Sequence, residues 1–216
     1  MAVRMKIDFV SDVSCPWCVI GLQSLQAALG RLSGEIDPEL HFQPFELNPQ
    51  MEPGGQDIVE HIEQKYGSTP DQIQQSQEMI RSRGAELGFQ FDMNKRTRIY
   101  NTFDAHRLLH WAELEGRQPE LKRALFGAYF TDGLDPSNHE VLVDVATRVG
   151  LDPARARQIL ASDEFAKDVR DRERLYTGHG IQAVPSIIIN DRHLIQGGQP
   201  VEVFEQALRQ IATQAA

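Results

Sequence analysis

Residues 5–21 read MKIDFVSDVSCPWCVIG and join an apolar run to a Cys-Pro-Trp-Cys motif. The run over 5–11 is typical of a buried strand, and Pro16 suits the first turn of a helix, where its missing N–H leaves no hydrogen bond unmade. We predict that helix over 16–29 and a second strand over 40–47, which together form a β-α-β unit with parallel strands. The motif therefore lies between the first strand and the first helix.

The middle of the chain has a helical pattern. Between residues 55 and 176 apolar positions recur at helical spacing and are separated by capping residues and glycines, which predicts a block of about six helices. Helix caps are predicted at Thr69, Asn101, Ser137, Asp152 and Ser162.

The last part of the chain returns to strands. Residues 184–189 are rich in β-branched side chains, Asn190 and Asp191 form a turn signal, and 192–195 complete a predicted hairpin. A terminal amphipathic helix follows, in which apolar residues are expected on one face. They are Val203, Phe204, Ala207, Leu208 and Ile211. The predicted order is β-α-β, helical block, β-β-α.

Composition and charge exclude several classes of function. The 216 residues carry a net charge of −9, from 31 acidic and 22 basic side chains, which argues against nucleic acid as a partner. The sequence contains no apolar stretch long enough to span a bilayer, so we expect no membrane partner. Charges in the first nine residues interrupt the apolar segment that a secretory signal needs, so a cytoplasmic location is expected unless a signal was removed.

The two cysteines of the chain both belong to the Cys-x-x-Cys motif, which excludes a disulfide-stapled scaffold. The Cys15 sulfur should face the free N–H groups and the positive end of the helix dipole, and this environment favours the thiolate. Cys18 lies on the same side of the first turn and can close a disulfide. We therefore predict that Cys15 attacks and Cys18 resolves, while Pro16 stiffens the turn and Trp17 supplies an apolar contact.

Other interpretations of the cysteine pair are less favoured. A zinc site needs about four ligands, and the remaining ones would have to come from scattered histidines such as His179 or His193. Two inert buried cysteines are also possible, because free cysteine is often a small core residue. The position between a strand and a helix favours redox chemistry over both. We expect neither a metal nor a cofactor.

Five ordered blocks of the sequence carry a family resemblance. They are SDVSCPWCVIG (11–21), FQPFELNP (42–49), NTFDAHRLLHWA (101–112), ALFGAYFTDGLDPSNHEVL (124–142) and QAVPSIIIN (182–190). These blocks resemble FrnE-like proteins, which group with 2-hydroxychromene-2-carboxylate isomerases and kappa-class glutathione transferases in the DsbA-like branch of the thioredoxin fold. This resemblance implies an α/β, thioredoxin-like fold with a large all-helical insertion. The thioredoxin-like domain would comprise 1–54 and 177–216, and the insertion domain 55–176.

The resemblance also implies roles for particular residues. Cys15 and Cys18 fall on the redox pair, and Pro185 falls on a position that is cis throughout the fold. A cis bond there would direct the backbone of Val184 toward the sulfurs, where it could pair with an extended substrate. The predicted substrate-binding residues are Pro16, Trp17, Val184, Pro185, Asn101 and His106.

Asn101 and His106 have a simpler alternative interpretation. On a helical wheel Phe103, His106, Arg107 and His110 lie opposite an apolar stripe, so this side of the helix could border a substrate groove. Alternatively, Asn101 is only a helix cap, and His106 and Arg107 are surface or ion-pair residues.

Three functions follow from these observations. The leading one is thiol–disulfide exchange through a mixed disulfide at Cys15, with protein or small-molecule thiols and disulfides as partners and glutathione as a possible co-substrate. The second is glutathione-dependent isomerisation or transfer, as in 2-hydroxychromene-2-carboxylate isomerases, which does not need Cys18. The third is a chaperone-like binding module without catalysis. We expect a monomer or a homodimer.

Overall fold

A four-stranded mixed sheet lies at the centre of residues 2–215, the part of the chain that the computed structural model describes. The central strand β1 (Val3–Ser11) pairs in parallel with β2 (Ile36–Pro44) and antiparallel with β5 (Ser186–Ile189). The strand β6 (His193–Gln196) pairs with β5 at the edge, so the order is β2-β1-β5-β6. This arrangement confirms the predicted β-α-β unit and the predicted hairpin.

The second strand begins earlier than the sequence predicts. β2 starts at Ile36 rather than at residue 40 and ends at Pro44 rather than at 47, because its register with β1 runs from the Val3–Ile36 pair to the Ser11–Pro44 pair. Residues 37–39 of β2 are exposed and include a proline, so they lack the apolar alternation that indicates a strand. Its prolines are tolerated because β2 is an edge strand.

The first helix α1 (Pro16–Arg31) packs against the terminal helix α9 (Val201–Ala215). Phe204, Leu208 and Ile211 of α9 are buried in the same apolar cluster as the centre of α1 and the inner side of β1. Val203 was predicted to share that face, but 42% of its surface is exposed.

The middle of the chain is helical apart from two short strands. Its helices are α2 (Ile58–Tyr66), α3 (Pro70–Glu86), α4 (Phe103–Leu114), α5 (Gln118–Phe126), α6 (His139–Arg148), α7 (Pro153–Leu160) and α8 (Ala166–Gly178). A π-helical turn, Gly127–Thr131, continues α5, and β3 (Gln56–Asp57) pairs with β4 (Arg98–Ile99). The boundary predicted after residue 176 lies inside α8, and the division into two domains stays a prediction. Across residues 2–215 we find no helix with the length and apolar character needed to cross a membrane.

Two of the predicted helix caps are wrong. Thr69 and Asp152 cap α3 and α7 as predicted. Ser137 does not cap α6, because its hydroxyl donates to Asp135 and the side chain of Asn138 accepts from the first turn instead. Ser162 lies in the turn before α8, where its hydroxyl accepts from the Glu164 N–H, and α8 begins only at Ala166.

Candidate active site

The two cysteines lie at the start of α1, where β1 has ended and the helix begins. Cys15 has an extended backbone and precedes the first turn, which Pro16 opens. The Cys15 thiol donates to the Val184 carbonyl oxygen at 3.7 Å, and only 4% of the residue is exposed. Cys18 is fully buried one turn later, and its N–H donates to the Cys15 carbonyl oxygen at 3.1 Å. Both thiols are free.

The burial of Cys18 separates the two thiols chemically. Burial raises the pKa of the Cys18 thiol well above its ordinary value, and the hydrogen bond and charge of the neighbouring Cys15 raise it further. Cys18 therefore carries its proton at neutral pH. Cys15, which borders the open groove described below, is the sulfur that a substrate can reach.

Two glycines allow α1 to approach the segment around Pro185. A Cβ atom on Gly21 would lie 3.0 Å from Pro185 Cγ, and one on Gly198 would lie 3.1 Å from the Trp17 carbonyl oxygen. A side chain at Gly21 would crowd Pro185, and one at Gly198 would crowd the first turn of α1. The Val184–Pro185 peptide bond is cis, as the resemblance implied.

A buried aspartate and a buried histidine contact each other directly before the cysteines. Asp12 is fully buried, and its carboxylate lies 3.4 Å from His106 Nε2 on α4. The same carboxylate accepts from the Leu47 N–H at 2.7 Å and from the Ser14 hydroxyl at 3.1 Å. Burial favours the neutral acid, but the hydrogen bonds and charge of His106 and the Leu47 N–H outweigh it and lower the pKa of Asp12. Asp12 thus connects the active-site loop with α4 and with the segment that follows β2.

The structure corrects the placement of the predicted residues on α4. Arg107 forms an ion pair with Asp104 and His106 contacts Asp12, but these two residues are 4% and 2% exposed and so are not surface residues. Arg107 also donates to backbone carbonyls at the α7–α8 turn. The Asn101 side chain accepts from the Phe103 N–H at the start of α4, although Thr102 is the residue that immediately precedes the helix. Substrate contact by Asn101 or His106 stays a prediction, which the burial of His106 disfavours.

A groove of about 830 Å³ opens beside Cys15. Pro16, Trp17 and Val184 line it, whereas Pro185 contacts α1 beneath it. Contact of these residues with a substrate stays a prediction. The opposite wall comes from α2 and α3, and Arg83 of α3 lies 5.6 Å from the centre of the Trp17 ring. The helical block therefore covers the cysteines and shapes the space in front of them.

The groove is basic although the chain is acidic. Lys65 and Arg96 line it, together with a single carboxylate, Glu46. His61 also lines it, but burial and the charges of Lys65 and Arg96 lower the pKa of its imidazole. Arg96 is 7% exposed and donates to the Ser14 carbonyl oxygen at 3.4 Å. Burial, together with the charge of a neighbouring glutamate, raises the pKa of Glu46 to about 7, in spite of its ion pair with Arg170. The groove thus presents mainly positive charge to a ligand.

The described residues contain no group of three or more His, Cys, Asp or Glu side chains that could hold a metal ion, so the geometry does not favour the zinc interpretation. Asp12, Lys65 and Arg96 are not among the residues that the sequence predicts for the site. Their positions follow from contacts between distant segments, which local patterns do not reveal.

Comparisons with known proteins agree with this geometry. A family model described as a DSBA-like thioredoxin domain matches residues 6–209. The crystal structure of a probable DsbA oxidoreductase, SCO1869 from Streptomyces coelicolor, has 32% identity and a TM-score of 0.88, over 95% of this chain and 89% of that one. The protein YwbO of Bacillus subtilis (strain 168) is 28% identical over 96% of both chains.

A more distant neighbour has the same fold. The structure of a 2-hydroxychromene-2-carboxylate isomerase has a TM-score of 0.69 at 14% identity, over 97% of each chain. The sequence motifs, the sheet order and the family match all indicate the same fold. The chain belongs to the DSBA-like thioredoxin domain family and has its α/β fold.

Proposed function

We propose that the protein is a thiol–disulfide oxidoreductase that works through Cys15 and Cys18. The observation that carries this proposal is the position of the Cys15 sulfur. It lies at the mouth of a helix and at the floor of a groove, with a second, buried thiol one turn behind it. Membership of a family that contains DsbA-type oxidoreductases supports the general class of reaction.

The reaction divides between the two sulfurs. In the reducing direction the Cys15 thiolate attacks a substrate disulfide, forms a mixed disulfide and releases one substrate sulfur as a thiolate. Cys18 then attacks Cys15, a Cys15–Cys18 disulfide forms, and the second substrate thiolate leaves. The substrate gains two electrons and the cysteine pair loses two. In the oxidising direction the same steps run in reverse.

The backbone near Pro185 offers a place for the substrate chain. The Val184 carbonyl oxygen lies 3.7 Å from the Cys15 sulfur and borders the groove. An extended peptide could pair with this backbone like an added strand, which would place its cysteine beside Cys15. Pro16 and Trp17 would contact the residues on either side.

A redox titration tests the proposal. The protein is equilibrated in glutathione buffers of increasing oxidation, and the Cys15–Cys18 disulfide is measured by alkylation and mass spectrometry. We expect reversible conversion between dithiol and disulfide, and loss of insulin-reducing activity in Cys15→Ser. Full activity in that variant would overturn the proposal.

The same variants separate the alternatives. Isomerase turnover that survives in Cys18→Ser, without disulfide exchange in the parent protein, would favour a glutathione-dependent isomerase. Suppression of aggregation at full strength by a variant without both cysteines would favour a binding module. Glutathione as co-substrate, a cytoplasmic location and a monomeric or homodimeric state stay predictions.

A further inference from the structure

An arginine without an acidic partner lies in the wall of the groove beside the cysteines. Arg96, in the segment between α3 and β4, is 7% exposed, and no ion pair within residues 2–215 includes it. Its Nε group has no hydrogen-bond partner in that part of the chain. A guanidinium is costly to bury without an anion, so its place here calls for a physical reason.

A second buried arginine shows the contrast. Arg107 forms an ion pair with Asp104 at 2.8 Å and donates to the Glu164 carbonyl oxygen at 2.8 Å. Arg96 instead donates to the Ser14 carbonyl oxygen at 3.4 Å, which is a long hydrogen bond to a neutral acceptor. The charge of Arg107 is therefore compensated within the protein, and that of Arg96 is not.

Aromatic rings hold the Arg96 side chain in place. Its guanidinium carbon lies 5.1 Å from the centre of the Tyr129 ring and 4.9 Å from the centre of the Phe130 ring. Both rings belong to the π-helical turn Gly127–Thr131, and turns of this kind are frequent at functional sites. The Tyr129 hydroxyl donates to the Arg98 carbonyl oxygen at 2.8 Å, which fixes the ring. Aromatic faces orient a cation without neutralising its charge, so Arg96 stays able to bind an anion.

The other cation of the groove is held in the same manner. The Lys65 ammonium donates to the Leu47 carbonyl oxygen at 2.7 Å and to Asn48 Oδ1 at 2.6 Å, and both acceptors are neutral. Glu46, the carboxylate that lines the groove, forms its ion pair with Arg170, which does not line it. The two cations that line the groove therefore lack an anion, although the chain as a whole carries a charge of −9.

Arg96 lies close to the reactive sulfur. It contacts the carbonyl oxygen of Ser14, the residue directly before Cys15, and it lines the same groove as Cys15. One residue of extended chain spans about 3.5 Å. A group that binds Arg96 therefore belongs to a part of the substrate near the sulfur that Cys15 attacks.

We propose, on the basis of the function proposed above, that Arg96 binds a carboxylate that the substrate carries beside its reactive sulfur. The preferred substrates are peptide disulfides with an acidic residue next to the cysteine. A carboxylate fits this place because a guanidinium can pair with it through two parallel hydrogen bonds. The bound carboxylate supplies the anion that Arg96 lacks, and the charge of Lys65 favours the same ligand. No covalent change occurs at Arg96, which acts by orienting the disulfide toward Cys15.

Matched peptide disulfides measure this preference. Two peptides differ only in the residues that flank the cysteine, which are glutamate in one and glutamine in the other. The kcat/KM for reduction of each is divided by its rate constant with dithiothreitol, which corrects for the intrinsic reactivity of the disulfide. We expect the parent protein to favour the glutamate peptide by at least about tenfold, as a charge-assisted hydrogen-bonded pair predicts.

Substitution of Arg96 should abolish the preference. In Arg96→Met the ratio of the two kcat/KM values should fall to about one, and in Arg96→Lys, which keeps the charge but not the fork of donors, it should be intermediate. The matched control is Lys95→Met, which removes the neighbouring exposed cation that pairs with Asp92 and should keep the parental ratio. A purely structural role of Arg96 would lower kcat/KM for both peptides and leave their ratio unchanged.

Inhibition of the parent protein provides a test that needs no substitution. Peptides with serine in place of cysteine should inhibit competitively, and the one with glutamate should bind at least about tenfold more tightly than the one with glutamine. Equal kcat/KM and equal inhibition in the parent would overturn the inference, as would the parental ratio in Arg96→Met. A parent protein that reduces neither peptide would instead overturn the proposed function.

Oxidised glutathione distinguishes the sources of the carboxylate. We expect its corrected kcat/KM in the parent protein to lie below that of the glutamate peptide. A higher value that is lost in Arg96→Met would overturn the assignment to peptides, because a small thiol would then supply the carboxylate.

Discussion

Replacing Asp12 with alanine tests whether the buried carboxylate holds the active-site loop to its surroundings. The substitution removes the acceptor for the Leu47 N–H at 2.7 Å, for the Ser14 hydroxyl at 3.1 Å and for His106 Nε2 at 3.4 Å. Each buried donor left without a partner costs about 1–3 kcal/mol. The Ser14 hydroxyl can rotate toward another acceptor, so two donors determine the total. We expect the free energy of unfolding to fall by about 2–6 kcal/mol, which is the cost of two such donors.

Urea unfolding of the reduced protein at neutral pH measures this loss. Asp37→Ala removes an exposed carboxylate from β2 and serves as the matched control, with an expected change within about 0.5 kcal/mol. Asp12→Asn keeps the shape of the side chain and removes only its charge, so it should lie between the two. A loss in Asp12→Ala of the same size as in the control would refute the reasoning.

The pH dependence of the same experiment has a definite sign. The pKa of Asp12 is lowered in the folded protein by His106 and the Leu47 N–H, so its carboxylate stabilises the fold above the ordinary value of 3.8. This stabilisation is lost as the pH falls through the lower folded value. The difference between the parent and Asp12→Asn should therefore shrink in acid, and a difference that grows there would contradict the assignment.

Three further predictions concern the contact with Pro185 and the groove. Gly21→Val should lower the rate of disulfide exchange by at least about tenfold, because its Cβ would lie 3.0 Å from Pro185. Gly30→Ala should leave the rate unchanged, because there is open space around residue 30. Lys65→Met should raise the KM for acidic peptide disulfides by about threefold to tenfold and leave the KM for basic peptide disulfides unchanged. An equal rise in KM for both kinds of peptide would contradict a basic groove. Burial raises the pKa of Glu46 to about 7, so the folded protein holds this proton more tightly than the unfolded chain does. The parent should therefore lose stability relative to Glu46→Gln as the pH rises from 4.5 to 7, and parallel unfolding profiles would refute this.

The sequence was most informative where a local rule sufficed. Residues 5–21 placed Cys15 between a strand and a helix, and the turn signal at Asn190 and Asp191 matches two residues with positive φ in the hairpin. The error at Ser137 arose because two adjacent residues could cap the helix, and the choice depends on Asp135, whose carboxylate engages the serine.

The sequence was least informative where distant segments meet. The interpretation of α4 from a helical wheel requires one side of the helix to face solvent. In the structure α4 contacts β2 on one side and α6, α7 and α8 on others. His106 is therefore buried although it lies opposite the apolar stripe. Lys122 left one local signal, since it lies within the apolar stripe of α5 between Leu121 and Leu125. Its burial becomes visible only when α5 is packed against β2.

Trapping the mixed disulfide tests the central claim most directly. Cys18→Ala and Cys15→Ser are each exposed to a peptide disulfide, and the adducts are located by mass spectrometry after digestion. We predict a stable adduct on Cys15 in Cys18→Ala and no comparable adduct on the buried Cys18 in Cys15→Ser. An adduct that forms equally fast on Cys18, or no adduct on Cys15, would contradict the account.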